Sequence, residues 1–352
     1  MKIKELQKIL KNEEMFLVTS EVSRFYLTGF HSSDGYLCIS KNKACFFTDS
    51  RYIENAEKSI TLCDTALFNG FDCIENFTEK NSVQKVFVES DRVTLSEFEK
   101  YKMLLKNCEV LSDGVLDKAI NSIREIKSQS EKENILKAQR IAEKAFDDVL
   151  GFISTDVTEK DVAAFIEYSM RRHGGEGVSF DTIVVSGKNS SMPHGVPSDK
   201  KFEKGDFITM DFGCIFDGYR SDMTRTVAIG SVTAKQREVY SVVLDAQEKA
   251  ISVIREGMGC SAADKVSRDI IEKAGYGKYF GHSLGHGVGI EIHESPTLSP
   301  RSDSILKENN IVTVEPGIYI PDEFGVRIED FGAVTKNGFD NFTKTTKELI
   351  IL

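Results

Sequence analysis

Two stretches of this chain, 104 positions apart, carry one pattern: residues 202–213 read FEKGDFITMDFG and residues 306–317 read LKENNIVTVEPG. In that alignment Thr209 falls on Thr313, Asp211 on Glu315 and Gly213 on Gly317. Each apolar run is a strand by its β-branched and aromatic content, and each ends in an acid. A second acid follows each, Asp222 in the first stretch and Glu329 in the second. Four carboxylates at the ends of two related strand pairs would repel one another in a partly buried site. A pair of divalent cations is the simplest compensation.

The spacing allows the acids to meet. Asp217 and Gly218, with Gly213, supply turn chemistry between Asp211 and Asp222, so a hairpin can return one to the other. Pro316, Gly317, Pro321 and Gly325 do the same between Glu315 and Glu329. His286 lies in the segment GHSLGHGVG (281–289), which is too glycine-rich for an ordinary strand and fits close approach of the backbone to a ligand. Four carboxylates and one imidazole form an oxygen-rich donor set. That set suits Mn²⁺, Co²⁺, Fe²⁺ or Zn²⁺ better than a thiolate-seeking metal. Two such ions balance the ligand charge, and a water between them would be acidified into a nucleophile.

Each acid taken alone reads as a solvated surface charge, and a lone histidine reads as a structural one. That bland reading holds for His31 and His173. The other four histidines, His194, His282, His286 and His293, fall in or beside the carboxylate set.

The carboxylate pattern belongs to a longer repeat. Capping-box spacings at Ser128–Glu131 and Ser130–Glu133 predict a long helix running from Ile135 to about Ile153. A second helix starts at the Thr158 cap and ends at His173 and Gly174. A polar loop (187–201) follows. Residues 236–257 and 261–274 repeat the two helices. One domain with two related halves and a site at their centre is expected. Ahead of it, residues 1–124 alternate strand-like and helical runs, which predicts an α/β domain around a mixed sheet. The domains are therefore expected at 1–124 and 125–352.

The net charge of −10 argues against nucleic acid or an anionic membrane as partner, and no apolar run has the length of a membrane span. The charged, amphipathic N-terminus lacks a signal-peptide core. Seven scattered cysteines, odd in number and without a C-x-x-C, read as reduced thiols in a cytoplasmic protein.

At these residues the C-terminal two-thirds resembles the pita-bread metallopeptidases: methionine aminopeptidase, aminopeptidase P (Xaa-Pro aminopeptidase) and prolidase. The resemblance implies an α+β chain, in which a pita-bread fold with two pseudo-symmetric halves follows a creatinase-type α/β N-terminal domain. It implies two divalent ions per chain, Mn²⁺ foremost. Asp211 would chelate one metal, Asp222 and Glu329 would bridge both, and His286 and Glu315 would bind the other. Glu315 would also shuttle the proton, while His194 and His293 would act as catalytic histidines on the substrate and its tetrahedral intermediate. His282, Tyr319 and Arg327 match substrate-binding positions of the proline-directed members. The motifs FYLTGF (25–30) and FFTDSRY (46–52) resemble the creatinase-type domain that methionine aminopeptidases lack. Their aromatics read individually as core packing.

The implied activity is removal of the N-terminal residue from peptides with proline second, through attack of a metal-bridging hydroxide, by a cytoplasmic homodimer acting on a peptide substrate. One alternative is a prolidase confined to Xaa-Pro dipeptides. The other is a non-catalytic binding protein on the same fold, which usually shows lost ligands.

Overall fold

The computed structural model describes residues 2–352; Met1, the first residue of the expected N-terminal domain, lies outside them. The chain divides into two compact units, one up to Arg124 and one from Glu125 to Leu352.

The first unit is built on a six-stranded mixed sheet. Its central pair, Glu14–Val18 and Tyr36–Ser40, is antiparallel. Outward from these lie Ala44–Thr48 and Asp64–Leu67 on one side, and Lys85–Val88 and Glu109–Leu111 on the other. Sequence patterning finds the four inner strands because they are apolar and buried. It misses Asp64–Leu67 and Glu109–Leu111, which are the two edges. An edge strand of three or four residues is half exposed and leaves no apolar run to read.

The FYLTGF motif closes the helix Glu21–Thr28, which starts on a Ser20 N-cap and ends at Gly29, where φ is 73°. Its aromatic Phe30 meets Phe46 and Tyr52 of the second motif edge-on, with ring centroids 6.1 and 6.3 Å apart. These contacts match the core-packing reading of the aromatics. His31 stacks on Phe25.

The second unit contains the repeat. The helix Gln129–Leu150 begins with a capping box between Ser128 and Glu131. Ser130 lies inside this helix and does not begin it. Buried Ile135, Ala138, Ala142, Ala145, Phe146 and Val149 form its apolar stripe. Together with the helix Glu159–Arg172, this stripe covers Ile208, Met210 and Phe212 of the strand Phe207–Phe212 and Met223 and Val227 of the strand Met223–Ala228. In the second half, the helix Ala234–Val253 is capped by a Thr233–Gln236 box, two residues earlier than expected. With the helix Cys260–Lys273 it covers Val312, Val314 and Val334 of a five-stranded sheet. That sheet runs Glu294–Leu298, Gly285–Gly287, Ile311–Val314, Asp330–Thr335, Gly338–Asn341. Helix, helix and strand pair thus occur twice.

The glycine-rich segment departs from expectation. Gly285–Gly287 is a short inner strand, paired on both sides, with a register shift between His286 and Gly287. A Cβ at Gly285 would lie 2.0 Å from the Thr313 carbonyl oxygen, so the missing side chain serves a neighbouring strand. No helix among the described residues is long and apolar enough to cross a membrane.

Candidate metal centre

The strand Phe207–Phe212 pairs antiparallel with Met223–Ala228, and the register sets Asp211 opposite Thr224. Asp222 immediately precedes the second strand. Between them the chain makes a two-residue turn at Asp217 and Gly218, with φ of 48° and 73°. Two successive left-handed residues are the signature of a hairpin turn that matches strand twist. In the second half, Glu315 follows the strand Ile311–Val314. The chain then makes the hairpin Gly317–Ile320 with Phe324–Arg327, and Glu329 leads into Asp330–Thr335. A bridge between Thr224 and Glu329 joins the halves, with Glu329 N donating to Thr224 O at 3.1 Å.

These strand ends bring the five side chains together. Asp222, His286 and Glu329 each offer a ligand atom within 4.8 Å of the others. His286 Nε2 lies 3.6 Å from Asp222 Oδ2 and 3.4 Å from Glu315 Oε1. Its Nδ1 contacts Gly287 O at 3.1 Å, which assigns the ring proton there and leaves Nε2 facing the acids. Asp211 Oδ2 accepts from Arg327 Nη2 at 2.6 Å, while its Oδ1 is buried with no hydrogen-bond partner.

The electrostatics express crowding. Burial, then the charges of Asp211 and Glu315, push the Asp222 carboxyl well above the usual range. Burial, then Asp222 and Glu315, do the same to Glu329. Burial raises Glu315 to about 8. Burial, reinforced by His293, lowers His286 to about 4, so its imidazole is neutral and able to ligate. An orphaned buried carboxylate oxygen, three carboxyls raised first by burial and then by neighbouring acid charge, and a neutral imidazole form a donor set suited to divalent cations.

The remaining expected residues rim this cluster. The His293 ring sits edge-on to His286 with centroids 4.4 Å apart, and its side chain is exposed. His282 Nε2 lies 3.0 Å from Tyr319 Oη, which accepts from Arg327 Nη1 at 2.8 Å. Burial, then the Arg327 charge, lowers His282 to about 4; burial raises Tyr319 to about 12. His194 is exposed on the loop after the short helix Gly187–Ser191, and its charge adds to the depression of His282. His173, read as structural, pairs instead with Asp148 at 2.8 Å.

Three residues were given no role by the sequence reading. Thr224 Oγ1 donates to Glu329 Oε2 at 2.7 Å and accepts from Arg327 Nε at 3.1 Å. Thr313 Oγ1 lies 3.3 Å from Glu315 Oε1 and accepts from His286 N at 3.1 Å. Its place two residues before the acid, repeated at Thr209, was the available signal. Arg225, almost fully buried, donates to the carbonyl oxygens of Thr224, Glu329, Thr345 and Thr346 and to Asp330 Oδ1. Nothing in the local sequence marks it.

Comparison with known proteins identifies the family. Residues 133–336 match metallopeptidase family M24, and residues 2–126 match the creatinase/prolidase N-terminal domain. The chain is 38% identical over 334 residues to an Xaa-Pro dipeptidase of Pyrococcus furiosus, covering 95% of this chain and 94% of that one. The solved structure of an Xaa-Pro dipeptidase from Bacillus anthracis superposes with a TM-score of 0.96 at 42% identity, covering 100% of this chain and 99% of that one. An X-Pro aminopeptidase from Thermotoga maritima superposes with a TM-score of 0.92 at 36% identity, covering 99% and 100%. The expected pita-bread α+β fold with a creatinase-type N-terminal domain is therefore the fold observed, and the chain belongs to metallopeptidase family M24.

Proposed function

We propose that this protein is a metal-dependent peptidase that hydrolyses Xaa-Pro dipeptides. The observation that carries the reading is the convergence of Asp211, Asp222, His286, Glu315 and Glu329 around a buried, unpartnered carboxylate oxygen. In this reading the five side chains hold two divalent ions, with Mn²⁺ the first choice. Such ions supply an activated water and polarise the scissile carbonyl.

The chain's own residues supply the rest. Glu315, beside His286, carries the proton that the departing proline nitrogen needs. The exposed imidazoles of His194 and His293 hydrogen-bond the substrate and the charge that develops on its carbonyl oxygen. His282, Tyr319 and Arg327 form one bonded wall of the substrate site. An Xaa-Pro amide has no N–H and a fixed φ, so it cannot be held as an extended strand and needs such a shaped wall. Residues 1–124 act as a separate domain that limits substrate length. A homodimer in the cytoplasm belongs to the same reading.

Sequence reasoning favours an aminopeptidase acting on longer peptides. The dipeptidases of P. furiosus and B. anthracis move the preference to dipeptides. The T. maritima aminopeptidase supports the longer-peptide reading as second choice. A cleavage panel of Ala-Pro, Ala-Pro-Ala and Met-Ala-Ala, with Mn²⁺, Co²⁺ or Zn²⁺ supplied, decides. Rapid hydrolysis of Ala-Pro with little cleavage of Ala-Pro-Ala is expected. Equal or faster cleavage of Ala-Pro-Ala moves the assignment to an aminopeptidase. Cleavage of Met-Ala-Ala alone overturns both.

A further inference from the structure

Glu159 is the first residue of the helix Glu159–Arg172, and its side chain is fully buried. Its Oε1 accepts from Ser186 N at 2.7 Å and Ser186 Oγ at 2.8 Å. Its Oε2 accepts from Ser198 N at 3.0 Å and Ser198 Oγ at 2.6 Å. Asn189 Nδ2 donates to both oxygens, at 3.2 and 3.3 Å. All of these donors come from one segment, 186–198. Ser186 and Ser198 are its two ends, so a single carboxylate ties the segment shut.

The tip of the segment faces the metal centre. Gly325 N donates to Ser190 Oγ at 2.8 Å, and Arg327 Nη1 donates to Pro193 O at 3.3 Å. Between Ser186 and Ser198, Met192, His194 and Val196 stay exposed. A buried carboxylate costs desolvation that apolar packing would avoid, so stability alone does not explain it. Fixing a loop whose tip must stay open to a substrate does explain it.

We propose that Glu159 is a positioning residue for His194: it holds the loop 186–198 closed so that the exposed imidazole stands ready over the site. The proposal rests on the peptidase reading for the role of His194, while the loop-closing function stands on the hydrogen bonds above.

Glu159→Gln separates the alternatives. The side chain keeps its shape but has one acceptor oxygen. Two backbone N–H groups now bind opposite oxygens, so one end of the loop must come free. The full-length, metal-loaded protein is compared as wild type, Glu159→Gln, His194→Ala and the double variant. Read-outs are kcat and KM on Ala-Pro, bound metal, and hydrogen exchange of the backbone amides. Glu159→Gln is expected to lower kcat/KM roughly 10- to 100-fold, the scale of one or two lost hydrogen bonds to a charged group. Bound metal should be unchanged, and faster exchange should be confined to 186–198. The double variant should be no slower than His194→Ala, because both changes act on one imidazole.

Losses that multiply, or an unchanged exchange rate in 186–198, overturn the proposal. So does a His194→Ala variant with wild-type turnover. If the wild type itself fails to cleave Ala-Pro, the peptidase reading falls, and the exchange measurement alone decides whether Glu159 closes the loop. Should Glu159→Gln not fold, Asn189→Ala removes the donor shared by both oxygens and should give a smaller loss with the same confined exchange; unchanged exchange there overturns the proposal too.

Discussion

In the first half of the second unit, Asp211 ends its strand with a guanidinium against it: Arg327 Nη2 lies 2.6 Å from Oδ2. In the second half, Glu315 ends the matching strand beside His286 and Thr313, and neither Glu315 nor Glu329 pairs with a lysine or arginine among the described residues. The threonines of the repeat diverge as well. Thr209 Oγ1 faces Thr226 Oγ1 at 3.0 Å, within its own strand pair, whereas Thr313 Oγ1 reaches Glu315. The residue after the second acid differs most: Met223 in the first half is buried apolar core, and Asp330 in the second is a buried, paired carboxylate. The repeat therefore preserves where the backbone puts acids and not how each acid is neutralised. One half borrows its cation from the other, since Arg327 belongs to the second.

The comparison is broken most severely at the acids nearest the joint between the halves. Asp222→Asn and Glu329→Gln should each lower turnover by more than about 1,000-fold and strip bound metal, because each removes a charge facing both halves. Elemental analysis after reconstitution, beside an Ala-Pro assay, checks this. Stoichiometric metal with full turnover in either variant would refute the assignment.

The histidines come next. His293→Ala and His194→Ala should lower turnover by about 100-fold, the scale of one lost transition-state donor, with metal retained. His286→Ala should lose metal affinity too. Three variants that lose metal alike would show that the rim and the cluster are not distinct.

Arg327→Met tests the borrowed cation. It removes positive charge beside Asp211, so turnover should fall roughly tenfold while affinity for divalent ions holds or rises. Competition against a chelator reads the affinity. A marked drop in affinity would mean that Arg327 supports the ligand geometry more than it balances charge.

Asp330→Asn should affect turnover least and acid stability most. Burial alone would raise the Asp330 carboxyl, but Arg225 and Lys347 outweigh it and hold it below the usual range. A depressed carboxylate stabilises the fold above its unfolded value, near 4, and that contribution is lost as pH falls through the folded value. Thermal melts of the metal-free protein should show wild type losing stability as pH falls below about 4. Asp330→Asn should be less stable at pH 7 and flatter across the acid range. Parallel curves would remove the pairing from the account.

Legibility followed the same division. Acids at strand ends, with turn residues between them, are readable because a carboxylate in an apolar run is out of place. Ser128 and Thr158 are readable because a cap has a fixed sequence spacing. The partners that tune the acids are not. Thr224 and Arg225 lie 105 and 104 residues before Glu329, and a buried hydrogen bond over that distance leaves no periodicity. The reason for Gly285 was likewise hidden, since only the neighbouring strand shows what a side chain would strike. Substrate length had no residue-level signal, and it was the relatives that shifted it.

The Arg225 clip has a bearing on how the protein is made. Its contacts tie residue 225 to 329, 330, 345 and 346, so they form after most of the intervening chain has been synthesised. Contacts so distant in sequence are slow to assemble. A nascent chain that has completed only the first half presents Asp211 and Asp222 as two acids on a bare strand pair, with no imidazole and no opposing carboxylates. The four carboxylates and the imidazole therefore come together only when the second half closes over the first.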